Sequence, residues 1–144
     1  MPIMNYTTTV KPEKTAAAIQ DLLRKAGARS VLSEYMDDGR LDYIAFRVDS
    51  SHGTIFFKLP AKIDGVHKAM KNDTGIPKSK CNSQQAERVA WRIVKDWVEC
   101  QLALVESNQA ELEQVFLQYA QAPDGRTLYE HFIEKGLPLL THSA

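Results

Sequence analysis

The chain has 144 residues with 18 Lys or Arg and 18 Asp or Glu, so its formal net charge is zero at neutral pH. This length predicts a single domain with a substantial hydrophobic core. The balanced charge disfavours non-specific binding of duplex nucleic acid, which needs a strongly positive surface. The two cysteines form no CxxC pair, so neither a zinc site nor a disulfide framework is expected. Without a signal-peptide pattern or an apolar run of membrane length, we expect a cytoplasmic protein.

The charges are unevenly distributed along the chain. The stretch from Lys58 to Lys95 carries nine Lys or Arg and three acidic residues. The remainder of the chain carries the excess of acids. The middle of the sequence is therefore where we expect an anionic ligand.

The first half of the chain predicts a helix followed by a small sheet. Residues 6–10 are Thr-rich and β-prone. A helix starts at Pro12 and stops at Gly27. Residues 30–36, 41–48 and 54–59 then read as strands, joined by turns too short for parallel crossovers. These three strands are predicted to form an antiparallel meander.

The second half predicts helices. Residues 61–71 and 83–105 have helical spacing, and Asn82 or Ser83 is placed to cap the longer helix. An N-cap pattern at residues 107–108 predicts that the long helix breaks there and a new helix begins. The new helix carries four apolar positions, Leu112, Val115, Phe116 and Tyr119. Residues 127–130 form a capping box for a last helix that residues 136–138 end. The predicted fold is a single α+β domain, with a helix and antiparallel sheet in residues 1–60 and a helical half in residues 61–144.

The long helix has more apolar surface than a single neighbour covers. At about 100° per residue, its apolar side chains span roughly 200° of the circumference. They are Ala86, Ala90, Trp91, Ile93, Val94, Trp97, Val98, Cys100, Leu102, Leu104 and Val105. This arc fits a helix that also faces a second chain, and it equally fits the central helix of a monomeric core.

Three cations share the remaining arc of this helix. Arg88, Arg92 and Lys95 lie at i, i+4 and i+7 and form what we call the basic strip. Four polar residues lie just before the helix or in its first turn, namely Lys78, Lys80, Asn82 and Gln85. Free backbone amides at a helix N-terminus bind phosphate, and so does an arginine guanidinium group, which can pair with two oxygens at once. Trp91 or Phe57 offers an aromatic ring on which a base could stack. The alternative is that these cations are only a solvated helix face.

No enzymatic signature accompanies this region. The sequence lacks GxGxxG, P-loop, HExxH and GxSxG patterns. We therefore expect no catalytic residues, no metal and no cofactor.

Three segments together resemble a family of small proteins that recurs in tailed phages and prophages. They are TIFFKLP at residues 54–60, QAERVAWRIVKDWVECQLALV at residues 85–105 and GRTLYE at residues 125–130. The likeness runs from about Arg40 to Phe132. The size and the order of sheet before helices are also similar to the phage Thoeris anti-defence proteins of the first type.

The second resemblance implies a function. Those proteins act as sponges: without catalysis, they trap cyclic ADP-ribose signals made by TIR-domain enzymes, and some trap cyclic oligonucleotides, in pockets between protomers. It implies a homo-oligomer in the infected host cell, in which a second protomer could bring Arg126 over the pocket. The alternatives are a protein-binding inhibitor of a host defence nucleoprotein, comparable to an anti-CRISPR, and an enzyme that degrades such a signal.

Overall fold

A computed structural model describes residues 2–135, 140 and 142 of the chain. Its helices and strands follow one another in the order α1 (Pro12–Lys25), β1 (Ser30–Tyr35), β2 (Leu41–Ser50), β3 (Gly53–Pro60), α2 (Ile63–Lys71), α3 (Ser83–Glu106), α4 (Leu112–Val115) and α5 (Leu128–Lys135). Single 3-10 turns cover Lys78–Lys80 and Leu117–Tyr119. The predicted α+β arrangement with one long central helix is confirmed.

The three strands form an antiparallel sheet in the order β1-β2-β3. Alternation decides which side chains point inward: on β2, Ile44, Phe46 and Val48 are buried, while the residues between them are more exposed. The β2–β3 turn uses Gly53 at φ +118°, a conformation that favours glycine.

The two edges of the sheet differ. The edge of β3 is covered at its middle, because the amide of Gln121 donates to the carbonyl of Phe56 at 2.7 Å and Ala120 bridges to Phe57. Within the described residues, β1 pairs only with β2, so its outer edge is open.

Helix α3 is buried on two sides by the rest of the chain. On one side Trp91, Val98 and Leu102 join α1, the inner face of the sheet and Phe116 in the larger core cluster. On another side Ala86 and Val89 join a smaller cluster with Met70 of α2 and Ile76. The wide apolar arc therefore belongs mainly to this chain's own core, although Cys100 and Leu104 at its far end are exposed.

The prediction for residues 6–10 was wrong. Residues 4–7 form a turn and residues 8–11 are irregular, with no strand among them. Asn5 has φ +68°, and its side chain donates to Asp96 on α3 at 2.8 Å. The Thr-rich composition favours an extended chain, but this segment is anchored along α3 instead of beside the sheet.

The break after α3 was predicted, but its cap was misplaced. Asn108 has φ +62°, and the N-cap of the next helix is Glu111, which forms a capping box with Gln114. The predicted helix is only the four residues of α4 followed by the 3-10 turn Leu117–Tyr119. The capping box at Thr127 and Glu130 is confirmed, with the Thr127 amide donating to the Glu130 carboxylate at 3.0 Å. The predicted stop at residues 136–138 lies outside the described residues.

Among the helices that the structure describes, none is both long enough and apolar enough to cross a membrane.

Candidate functional site

The start of α3 is occupied by the protein's own contacts. Asn82 is the N-cap, and its Oδ1 accepts from the Gln85 amide at 2.8 Å. The buried Gln85 side chain donates to the carbonyls of Tyr6 at 2.9 Å and Thr8 at 2.8 Å. Both predicted ligand residues therefore have structural partners, and Gln85 has no exposed amide with which to bind a ligand.

The basic strip lies on one face of α3 as predicted, but its three cations differ in their environment. Lys95 Nζ lies 2.6 Å from Glu99 and 3.9 Å from Asp96, so its charge is offset. Within the described part of the chain, Arg88 Nη1 donates to the neutral Gln85 side chain at 3.4 Å and Arg88 makes no ion pair. Arg92 makes no ion pair with any described residue. The two half-buried arginines are thus the cations of the strip with uncompensated charge.

Lys78 and Lys80 lie in the 3-10 turn that precedes α3, where Lys78 is exposed and Lys80 is half-buried. They add positive charge near the start of the helix. Neither makes an ion pair within the described part of the chain.

Both aromatic residues predicted to stack a base are in the core instead. Trp91 and Phe57 each have 0% exposed surface. Phe57 stacks on Phe46 with ring centroids 4.9 Å apart, and α1 covers the side of α3 on which Trp91 lies. The prediction of a stacking role was wrong for both residues, because the neighbouring elements bury these rings.

Arg126 is also separated from the basic strip. Nine residues at about 100° each place Arg88 about 180° around α3 from Trp97. Trp97 packs on Tyr119, and the segment that follows Tyr119 leads along β3 to Arg126. The Arg126 guanidinium lies 2.6 Å from Glu134, and this ion pair raises the pKa of Arg126. Within one copy of the chain, Arg126 therefore lies away from the basic strip, and its approach to the pocket from a second protomer stays a prediction.

Sequence reasoning missed Glu87, which lies beside the α1–α3 contact. Its Oε2 is buried and has no hydrogen-bond partner. Burial raises the pKa of Glu87, while the Leu41 amide and the charge of Arg40 act in the opposite direction. The sequence does contain a signal for this burial: Glu87 is an acidic residue between Ala86 and Ala90, on a largely apolar side of the helix.

The outer face of the sheet was missed as well. Phe56 points away from the core and is 53% exposed, and the register places it opposite Arg47. On the same face Lys58 Nζ lies 4.3 Å from the centroid of the Tyr43 ring. The signal was the Phe56-Phe57 pair, because two successive strand residues point to opposite faces and only one can be in the core.

The described residues contain no group of three or more His, Cys, Asp or Glu side chains able to hold a metal ion. An apolar groove of about 220 Å³ lies between β3 and α3 and is lined by Leu59, Pro60, Ile93, Val94, Trp97 and Tyr119. Among the predicted site residues, Arg88 and Arg92 therefore remain as a candidate anion site. They place two guanidinium groups on one rigid helix.

Comparison with known proteins gives no match: no family model, no curated sequence and no solved structure matches this chain.

Proposed function

We propose that this protein binds an anionic, nucleotide-derived signal on the basic strip and sequesters it without catalysis. The supporting observation is the pair Arg88 and Arg92, one helical turn apart, with no acidic partner among the described residues. A guanidinium group pairs with two phosphate oxygens at once, so two such groups in line fit a diphosphate. Lys78 and Lys80 strengthen the positive potential at the same end of α3.

The strip gains from its position on the helix. Arg88 and Arg92 lie within the 24-residue α3, which is buried on two sides, so their backbone positions are fixed before a ligand arrives. Both side chains are half-buried, which weakens competition from water for the phosphate oxygens. Such preorganisation lowers the entropic cost of binding.

The resemblance to the phage sponges supports the same proposal and extends it. In one copy of the chain the strip lies beside residues 5–8, which Gln85 and Asp96 anchor along α3, and both arginines are half-buried. We propose that a second copy supplies the opposing wall of the pocket. A ring that stacks on the base in this proposal is one other than Phe57 and Trp91, since both are in the core of each copy. The site of action in this proposal is the cytoplasm of an infected host cell.

Native mass spectrometry with cyclic ADP-ribose tests the proposal. The wild-type protein is expected to be an oligomer that gains one ligand mass per site. Arg88→Glu with Arg92→Glu reverses both charges and is expected to abolish this gain. Lys68→Glu with Lys71→Glu, on the exposed side of α2, is the matched control and is expected to bind as the wild type does.

Undiminished binding by the Arg88→Glu, Arg92→Glu variant would refute the site. The chemical state of the ligand separates binding from degradation. Ligand recovered unchanged after heat denaturation supports sequestration, whereas a converted product supports the enzyme.

A protein-binding inhibitor is the second candidate, and α5 favours it. None of its described residues is buried, and Tyr129 and Ile133, one turn apart, are 59% and 50% exposed. Apolar side chains at this spacing are typical of a helix that docks into a groove. Tyr129→Lys with Ile133→Lys should abolish capture of a host nucleoprotein in a pull-down while leaving ligand binding unchanged, and full retention of capture would exclude α5.

A further inference from the structure

We propose that the outer face of the sheet binds single-stranded nucleic acid, independently of the basic strip. This outer face includes Leu32, Tyr43, Ala45, Arg47, Phe56 and Lys58, and the acids Glu34 and Asp49 lie on it as well.

The face is open to solvent. Helix α1 and Phe116 pack with the inward residues of the strands in the larger core cluster. On the outer side Phe56 is 53% exposed and Leu32 is 50% exposed, although Phe57, next to Phe56, has 0% exposed surface. A phenylalanine ring held in water on a rigid strand is a ready surface for a planar partner.

Each ring on this face has a cation beside it. Arg47 is the cross-strand partner of Phe56, and Lys58 Nζ lies 4.3 Å from the centroid of the Tyr43 ring. A ring with an adjacent cation matches the two parts of a nucleotide, because bases stack on aromatic side chains and the phosphate pairs with Lys or Arg. Aliphatic neighbours would suit a protein partner better, and among the paired strand residues of this face they are limited to Leu32, Ala45 and Pro60.

The charges of the face are mixed. Arg29, Arg47 and Lys58 lie on or beside it with Glu34 and Asp49. Hydrogen bonds from Thr127 lower the pKa of Glu130, and Lys58 is close enough to that carboxyl group to help lower it. Asp49 lies 3.7 Å from Arg29 and 3.5 Å from Arg47. Stacking on the rings therefore supplies most of the binding free energy, with the cations contacting single phosphates of a flexible strand, and the zero net charge of the chain provides no field for a duplex.

The dimensions favour a strand over a lone nucleotide. Tyr43 and Arg47 are four residues apart on β2 and Arg47 is opposite Phe56, so the Tyr43 and Phe56 positions lie about 13 Å apart along the strands. Beside Phe56 an open groove of about 690 Å³ is bounded by Ala122, Pro123 and Gly125, in the segment that covers the edge of β3. A base on Phe56 would rest against this segment while the strand continues towards Tyr43.

Fluorescence anisotropy with labelled oligothymidylate and oligouridylate of about 12 nucleotides tests the proposal. The wild type is expected to bind, with affinity that falls as salt rises. Phe56→Ala and Tyr43→Ala should each weaken binding about 5- to 100-fold, the range expected for loss of one stacked base. Phe56→Trp keeps a ring and should restore binding.

The controls separate this surface from the others. Tyr129→Ala removes an equally exposed ring on α5 and should bind as the wild type does. Arg88→Glu with Arg92→Glu should also leave oligonucleotide binding unchanged, so failure of the basic-strip proposal and failure of this one are distinguishable.

Three results would overturn the proposal: no binding of either oligonucleotide at low salt, wild-type affinity in Phe56→Ala, or full competition by a free mononucleotide. Light scattering provides a further check. A wild-type dimer that Phe56→Ala converts to a monomer would assign the face to a second copy of the chain.

Discussion

At the scale of single residues, neighbouring phenylalanines have opposite environments. Phe57 has 0% exposed surface and stacks on Phe46, whereas Phe56 is 53% exposed. Phe57→Ala should lower the free energy of unfolding by about 3–5 kcal/mol, because it removes a large core side chain and leaves a cavity. Phe56→Ala, the matched control, should lower it by less than about 1 kcal/mol. Urea denaturation measures both, and equal losses would contradict the assigned faces.

This pair also shows why part of the candidate site could not be predicted. The sequence predicts that β3 is a strand, but its two apolar faces do not reveal which phenylalanine lies inward. Trp91 presents the same difficulty, because helical spacing places it near Arg88 without indicating that α1 covers it. The Asn82 cap was predicted because capping depends on a short local pattern.

Glu87 gives the stability of the protein a pH dependence of known sign. Burial raises the pKa of Glu87 in the folded chain. The folded chain therefore holds this proton more tightly than the unfolded chain does. This contribution lowers the free energy of unfolding as pH rises from the ordinary glutamate range, about 4.3, through the raised value.

Glu87→Gln removes this titration. The variant should be more stable than the wild type at neutral pH, with the difference shrinking as the pH falls towards 4.3, the ordinary glutamate value. Urea denaturation across this range measures the difference, and Glu106→Gln, at an exposed position, is the control. A difference that grows on acidification would contradict the sign.

At the scale of elements, one side chain anchors the segment before α1. The side-chain amide of Gln85 donates to two backbone carbonyls of that segment, those of Tyr6 and Thr8. Gln85→Ala leaves both carbonyls without this donor and should cost about 1–3 kcal/mol. Hydrogen exchange should show faster exchange in residues 5–10, while Gln84→Ala, an exposed neighbour, should leave it unchanged. Unchanged exchange in Gln85→Ala would contradict the anchoring role.

The elements that were predicted well are those encoded by local patterns. The three strands alternate and are separated by turns, and α1 has Pro12 at its start and Gly27 at its end. Residues 6–10 carry a strand-like composition, but a strand also needs a neighbour to pair with, and composition does not indicate one. The length of α4 was overpredicted, because the helical spacing of apolar residues continues into the 3-10 turn Leu117–Tyr119.

At the scale of the whole molecule, α3 joins the two core clusters. Trp91 and Val98 belong to the larger cluster, and Ala86 and Val89 belong to the smaller one. Neither cluster can lose α3 and remain packed, so the described chain should unfold in one cooperative transition. Tryptophan fluorescence reports the larger cluster, since both tryptophans pack in it, and far-UV circular dichroism reports all elements. The two urea curves should coincide, and separate midpoints would show that the clusters unfold independently.

The unequal edges of the sheet limit how the protein can polymerise. An unpaired strand edge is a template for another chain, and a fibril needs two such edges on every molecule so that each copy passes the pairing on. Here residues 120–121 occupy the middle of the outer edge of β3, and among the described strands only β1 has an edge that is unpaired along its whole length. Two copies joined through β1 would each present only the interrupted edge of β3, so we expect strand pairing between folded copies to end at two molecules.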